Sequence, residues 1–313
     1  MRILVTGACG YIGNILVPKL LGLGHEVVAV DIMWFGNELA PAPGLTVVKG
    51  DVRDMDTIPM DGVNAIVHLA NVANDPCGDL NAKLVWEVNA LATMQLLEKA
   101  IAHGVQKFML ASSGSVYGLK EEAQVTEELS LVPLSDYNKT KMISERVLLS
   151  YKDQIEVFSI RPATVCGYSP RTRLDVAVNM LTMQALVKGE ITVLGGAQTR
   201  PNVHIQDITD IFIHFLGKGR ESTGIYNAGF ENISILDIAN MVVDRVPAKI
   251  TIKPSNDPRS YRLNSDKLLS TGFKPKYGVA DGIQDIITAY REGRLVDDDI
   301  HYNVRTMKKL QEL

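Results

Sequence analysis

The sequence has 313 residues, a formal charge of −4 at pH 7, 46% apolar and 22% charged residues, the mix of an ordinary folded globular chain rather than a disordered, collagen-like or disulfide-scaffold one. At roughly 150 residues per domain the length predicts about two domains, and the near balance of charge leaves no global field to gather nucleic acid or an anionic membrane, so an anionic ligand would need a local pocket of arginines. Cys9, Cys77 and Cys166, in no CxxC spacing, indicate neither a metal site nor a disulfide framework and predict a reducing cytoplasm, and no apolar run reaches the ~18 residues of a membrane helix.

Residues 1–17 mimic a signal peptide, but Thr6, Gly7 and Gly10 cut the apolar run below the ~7 residues it would need, so the segment reads as strand and turn of the mature fold. The strand Arg2–Thr6 runs into Gly7-Ala8-Cys9-Gly10-Tyr11-Ile12-Gly13, after which Ile12, Leu16, Leu20 and Leu23 recur at helical spacing and predict a helix over 11–23. A glycine turn between strand and helix lets backbone approach a pyrophosphate and offers it free N–H groups at a positive dipole end. The second strand, Glu26–Asp31, ends in a carboxylate about 20 residues on, placed to accept the ribose hydroxyls of an adenosine. Asp31 would repel the 2′-phosphate of NADP, and no Arg or Lys follows it in Ile32-Met33-Trp34, so the cofactor reads as NAD. After the third strand, Leu45–Lys49, Gly50-Asp51-Val52 is positioned to contact the adenine, with Asp51 equally readable as a helix N-cap.

Further strands over 65–69, 107–112 and 157–161 and helices over 55–60, 84–103 and 136–151 complete a βαβ pattern. The fold class is α/β, a doubly wound parallel sheet of Rossmann type. Residues 1–165 form the NAD-binding domain and 166–313 a smaller α/β substrate domain that is interleaved with it, because 203–228 is apolar enough to return to the main sheet. The charged tail 291–313 reads as an exposed terminal segment.

Ser112-Ser113-Gly114-Ser115 stands at a strand end, followed by Tyr137-Asn138-Lys139-Thr140-Lys141. Tyr137 and Lys141, four apart, share one helix face, so the ammonium is expected to lower the phenol toward neutrality and make it a usable base, with the Ser113 hydroxyl completing a proton path to a substrate alcohol. His68 and His204 read as structural hydrogen-bonding residues, Cys9 as an inert thiol, and Asn74-Asp75 as an Asx turn before Pro76.

With these residues the sequence resembles the extended short-chain dehydrogenase/reductase family, in its nucleotide-sugar epimerase and dehydratase branch. The matching pieces are Gly7, Gly10 and Gly13, Asp31, Gly50-Asp51-Val52, His68-Leu69-Ala70, Asn89 with Thr93, Ser112-Ser113, Tyr137 to Lys141, Arg161-Pro162, Arg200 to Asp207 and Tyr226-Asn227-Ala228-Gly229. The resemblance implies Tyr137 as base for oxidation of a C4 hydroxyl, Ser113 sharing its proton, Lys141 on the nicotinamide ribose, and hydride transfer to NAD. It extends the cofactor set to Tyr11, Ile12, Leu69, Ala70 and Asn89. For the diphosphate of a nucleotide-sugar substrate it implies Asn179, Arg200 and Arg259, with Arg262 a near alternative to Arg259 and with Arg171 and Arg173 near the sugar. It also implies a homodimer built on the helices at 84–103 and 136–151.

Relatives that eliminate water carry Asp-Glu after the catalytic hydroxyl residue. Here Gly114 and Ser115 stand there, and neither is a carboxyl acid or base, which disfavours a 4,6-dehydratase. A 4-epimerase is the favoured reading. The alternative is a net 4-dehydrogenase, because residues 169–182 resemble the dehydrogenases of GDP-heptose capsule pathways. A second alternative is a dinucleotide sensor without catalysis, which the joint presence of Ser113, Tyr137 and Lys141 opposes.

Overall fold

The computed structural model describes residues 1–255 and 260–311. Its first part is built from β1 (Arg2–Thr6), α1 (Gly13–Gly22), β2 (Glu26–Asp31), β3 (Leu45–Lys49), β4 (Ala65–His68), the short helices α2 (Asp75–Gly78) and α3 (Ala82–Val85), α4 (Ala92–Ala102), β5 (Lys107–Ala111), α5 (Asp136–Ser150) and β6 (Glu156–Pro162). There follow β7 (Thr164–Cys166), α6 (Ala177–Lys188), β8 (Glu190–Leu194), β9 (Thr199–His204), α7 (Ile205–Leu216), β10 (Gly224–Ala228), β11 (Glu231–Ser234), α8 (Ile235–Val243), β12 (Lys249–Lys253), α9 (Asp266–Ser270), α10 (Val279–Arg291) and α11 (Asn303–Gln311).

Seven strands form one parallel sheet in the order β10-β6-β5-β4-β1-β2-β3. Alternation along β1 sends Ile3 and Val5 to a core on one face and Leu4 to a core on the other, as a sheet covered on both sides requires. The strand order reverses at β1, between β4 and β2. A crevice therefore opens at the carboxyl ends of these strands, where Thr6 pairs with His68 and Val30. The smaller part holds the sheet β11-β9-β7, the strand pair β12-β8, and α6, α8 and α10 packed on a core of their own.

Four sequence expectations are corrected. Only a 3₁₀ turn, Met55–Thr57, forms where a helix over 55–60 was expected, because Thr57 Oγ1 turns back to the carbonyls of Asp51 and Asp54. The helix expected over 84–103 is interrupted by a π turn, Trp86–Leu91, which carries the buried Asn89. Within the segment expected to return to the sheet, 205–216 is a helix, α7, whose Ile208, Ile211, Phe212 and Phe215 cover the main sheet at helical spacing; the strand added there is β10. The tail is not an exposed appendage: Leu295, His301, Asn303 and Met307 are buried, and the Leu174 N–H donates to the His301 carbonyl. Among the described residues no helix is long and apolar enough to cross a membrane.

Candidate active site

The crevice is a cleft of about 640 Å³. At one end the turn between β1 and α1 forms its wall. Gly7 has φ +67°, and a Cβ there would lie 2.6 Å from the Ala70 nitrogen; a Cβ on Gly13 would lie 2.3 Å from the Ala8 carbonyl oxygen. Both glycines are needed for backbone to pass against backbone. Gly10 is different, since its Cβ would meet only the Gly7 oxygen, at 3.1 Å, and the residue lines the cleft. Ile12 caps α1 with no side-chain hydrogen bond and the first turn holds no acidic residue, so the helix N-terminus is left for an anion.

Asp31 closes this end. Its carboxylate accepts from the N–H groups of Cys9, 2.9 Å, and Met33, 2.7 Å, and burial lifts its pKa above the ordinary range. Tyr11, Ile12, Val52, Leu69 and Ala70 line the cleft with it. Asp51 also reaches the cleft, but its carboxylate is gripped by the Arg53 guanidinium at 2.6 Å, and the N-cap of the following turn is Asp54. Asn89 does not line the cleft: it is buried, accepts from the Val72 N–H and donates to the Val72 carbonyl, so it shapes the loop after β4. His68 is likewise spent, on Thr6 and Thr93, and burial, helped by the Lys141 charge, lowers its pKa to about 3.

At the other end, α5 is N-capped by Ser135 and carries Tyr137 and Lys141 on one face. Burial pushes the Tyr137 phenol up to about 12, against the Ser113 hydroxyl and the Arg173 charge, which pull it down. This departs from the sequence expectation. The Lys141 ammonium lies 6.0 Å from the Tyr137 ring centre and donates to the Ala111 carbonyl at 2.8 Å, so the cation that favours the phenolate is Arg173. Burial lowers Lys141 itself to about 7, with Glu145 acting to raise it.

On the side facing the smaller part, Arg200 lines the cleft, and so do Arg171 and Arg173. Arg173 pairs with Asp175 at 2.8 Å, while Arg171 sits toward Phe35, 4.0 Å above its ring. Asn179 does not reach the cleft. It is fully buried, accepts from the Gly167 N–H at 3.0 Å, and donates to the Tyr11 hydroxyl and the Arg173 carbonyl, which leaves nothing for a diphosphate. Arg262 is exposed away from the lining, and Arg259 lies outside the described residues.

Sequence reasoning missed four residues. Asn303 from α11 enters the lining, accepts from Arg171 at 2.6 Å and sends its N–H to Asp175. Asn74, at φ +72°, donates across the cleft to Asp175 at 3.1 Å. Ser115 and Asn138 are joined by a hydrogen bond beside Ser113. The helical spacing of α5 could have placed Asn138 beside Tyr137; nothing local points to Asn303.

A family model described as the NAD dependent epimerase/dehydratase family matches residues 3–229. An uncharacterized UDP-glucose epimerase of Bacillus subtilis (strain 168) is 32% identical over 272 residues, 80% of this chain and 84% of that protein. The UDP-glucose 4-epimerase of Streptococcus mutans serotype c is 27% identical over 323 residues, 92% of this chain and 95% of that protein. Among solved structures, the UDP-glucose 4-epimerase of Thermus thermophilus in complex with NAD superposes with a TM-score of 0.83 at 25% identity, covering 93% of this chain and 99% of that one. DesIV, a dTDP-glucose 4,6-dehydratase from Streptomyces venezuelae with NAD and TYD bound, gives 0.84 at 27% identity, covering 94% and 98%.

Proposed function

The chain belongs to the NAD dependent epimerase/dehydratase family and is an NAD-dependent enzyme, and from that premise we propose that it inverts C4 of a nucleotide-diphosphate sugar by oxidation and re-reduction. The cleft fits the cofactor: Gly10 leaves room that a side chain would fill, the uncapped N-terminus of α1 suits a pyrophosphate, and Asp31 suits an adenosine ribose. When bound, NAD supplies the hydride acceptor and a positive ring that adds to Arg173 in favouring the phenolate.

Tyr137 takes the proton of the C4 hydroxyl as the carbon is oxidised and returns it when the hydride comes back to the opposite face. Ser113, beside the phenol, shares that proton. Lys141 does not line the cleft; it is buried behind it, with its ammonium on the carbonyl of the lining residue Ala111 at the end of β5, and we assign it to the nicotinamide ribose. Arg200 and Arg173 face the substrate side, where planar guanidinium groups suit phosphate and sugar oxygens.

The observation that carries this reading is the Tyr137 phenol with Ser113 at its side, in the same cleft as the glycine turn and Asp31. The lack of a carboxylate at Gly114 and Ser115 supports C4 redox chemistry over elimination. The relatives named for UDP-glucose make it the first substrate to try. Incubation with UDP-glucose, and then with UDP-glucuronic acid, GDP- and dTDP-sugars, followed by chromatography of the sugar nucleotides, should show one C4 epimer pair at equilibrium without net reduced nicotinamide. Stoichiometric accumulation of reduced nicotinamide would make the protein a dehydrogenase, and a dehydrated 4-keto product would make it a dehydratase.

We infer a homodimer from the exposed Trp86, Leu91 and Ile143, which lie on the π turn and on α5, two elements packed against each other. Light scattering should give twice the chain mass, reduced by Leu91→Glu; a monomer mass for the unmodified protein overturns the inference.

A further inference from the structure

Arg171 is 3% exposed, yet among the described residues it forms no ion pair. Its Nη2 donates to the neutral Asn303 Oδ1 at 2.6 Å, its guanidinium carbon lies 4.0 Å from the centre of the Phe35 ring, and its Nε, also buried, has no partner. A guanidinium taken out of water without a carboxylate is costly to the fold. A bound anion would relieve that cost, and Arg171 lines the cleft. The other cations of the lining are differently placed: Arg53 is held by Asp51, Arg173 is held by Asp175, and Arg200 has a partner of its own.

Two diphosphates could come to this cleft, that of the dinucleotide and that of the sugar nucleotide. Two contacts put the Arg171 segment on the dinucleotide side. Ser169, two residues earlier, donates to the Tyr11 carbonyl in the glycine turn at 2.9 Å. Phe35 follows β2 and its terminal Asp31.

We propose that Arg171, stacked on Phe35 and oriented by Asn303, receives the pyrophosphate of the dinucleotide on the wall opposite the glycine turn. The smaller part of the molecule and α11 thereby hold a cofactor whose other contacts belong to the main sheet. The inference rests on NAD binding alone, and it stands whether the sugar chemistry is epimerisation or net oxidation.

The test uses binding. The full chain, stripped of nucleotide, is titrated by calorimetry with NAD, ADP-ribose, adenosine and UDP, for the unmodified protein, Arg171→Gln and Asn303→Ala. Arg171→Gln should weaken NAD and ADP-ribose at least tenfold and leave adenosine and UDP within twofold. Asn303→Ala, which keeps the cation but frees it, should weaken NAD and ADP-ribose by a smaller factor in the same pattern, and it serves alone if the glutamine variant does not fold. Weakened UDP with unchanged NAD would assign Arg171 to the sugar nucleotide and overturn the proposal. Unchanged affinity for all four would make the residue structural and overturn it as well.

Discussion

Ser113 Oγ lies 2.7 Å from Ser115 Oγ, and the Ser115 hydroxyl donates onward to Asn138 Oδ1. A hydroxyl has one proton, so Ser115, having given its own to Asn138, can only accept across the contact with Ser113, whose Oγ also accepts from the Ser115 N–H and whose own proton stays free to turn to the Tyr137 phenolate. Ser115 thus orients a proton-sharing residue. Ser115→Ala should lower kcat about 10-fold, a loss of ~1.4 kcal/mol, with KM little changed, and Ser115→Thr should restore most of it. Steady-state kinetics that show a changed KM at constant kcat would remove Ser115 from this role.

Removing the phenol oxygen tests the chemistry itself. Tyr137→Phe should lower kcat by ~10²- to 10⁴-fold, the range for loss of a general acid–base group. Nucleotide bound per chain should stay the same. Retained turnover would exclude Tyr137 as the base.

The glycine turn separates folding from binding. A Cβ on Gly13 drives into the Ala8 carbonyl, so Gly13→Ala should destabilise the fold by about 1–3 kcal/mol and lose NAD with it. Gly10→Ala meets only its own turn and should unfold near the temperature of the unmodified protein while binding NAD at least ~10-fold more weakly, because the added methyl stands in the cradle. Thermal scans with and without NAD separate the two; equal NAD affinity for Gly10→Ala would contradict the cradle.

Lys141 sets a pH dependence of stability. The cofactor-free folded chain releases its proton above about 7, whereas an unfolded lysine keeps it to 10.5. The unfolded state therefore binds more protons across that window, and this residue's contribution to stability rises with pH within it. Below the window the buried ammonium carries its full cost. The stabilisation produced by Lys141→Met should be largest near about pH 6 and shrink by about pH 9, read as the difference between two melting curves. A difference that does not change with pH would mean that Lys141 keeps its charge in the fold.

Arg161 and Glu145 form a buried pair with contacts of 2.9 and 2.7 Å, and Arg161 also donates to the Tyr117 hydroxyl. Breaking such a pair leaves an uncompensated charge, so Arg161→Met should cost ~3–5 kcal/mol by denaturant unfolding. A cost below ~1 kcal/mol would show that water reaches Glu145.

Local signals made much of this legible. The run from β1 through Gly7, Gly10 and Gly13 into α1 is contiguous, and a change of hydrophobic period marks each boundary; the four-residue step from Tyr137 to Lys141 likewise follows from helix geometry alone. What was not legible depends on distant partners. An asparagine such as Asn179 looks the same in sequence whether it grips a diphosphate or, as the structure has it, ties the segment near Gly167 to Tyr11. The apolar spacing of Ile208, Ile211, Phe212 and Phe215 is helical and marks α7, whereas nothing local says that this helix covers the sheet while β10 adds the strand. Asp175 gathers Asn74, Arg173 and Asn303 from three separate stretches of chain, and no window along the sequence contains them together.

The position of Asn303 has a consequence for biosynthesis. A nascent chain on the ribosome carries the glycine turn and Asp31 from the start of translation, but the residue that steadies Arg171 is made only after every strand of the main sheet. Full dinucleotide capture therefore becomes a late event in the life of each polypeptide, and a transcript broken off after α10 yields a product that lacks both the residue completing this grip and the Met307 side chain that packs on the core of the main sheet.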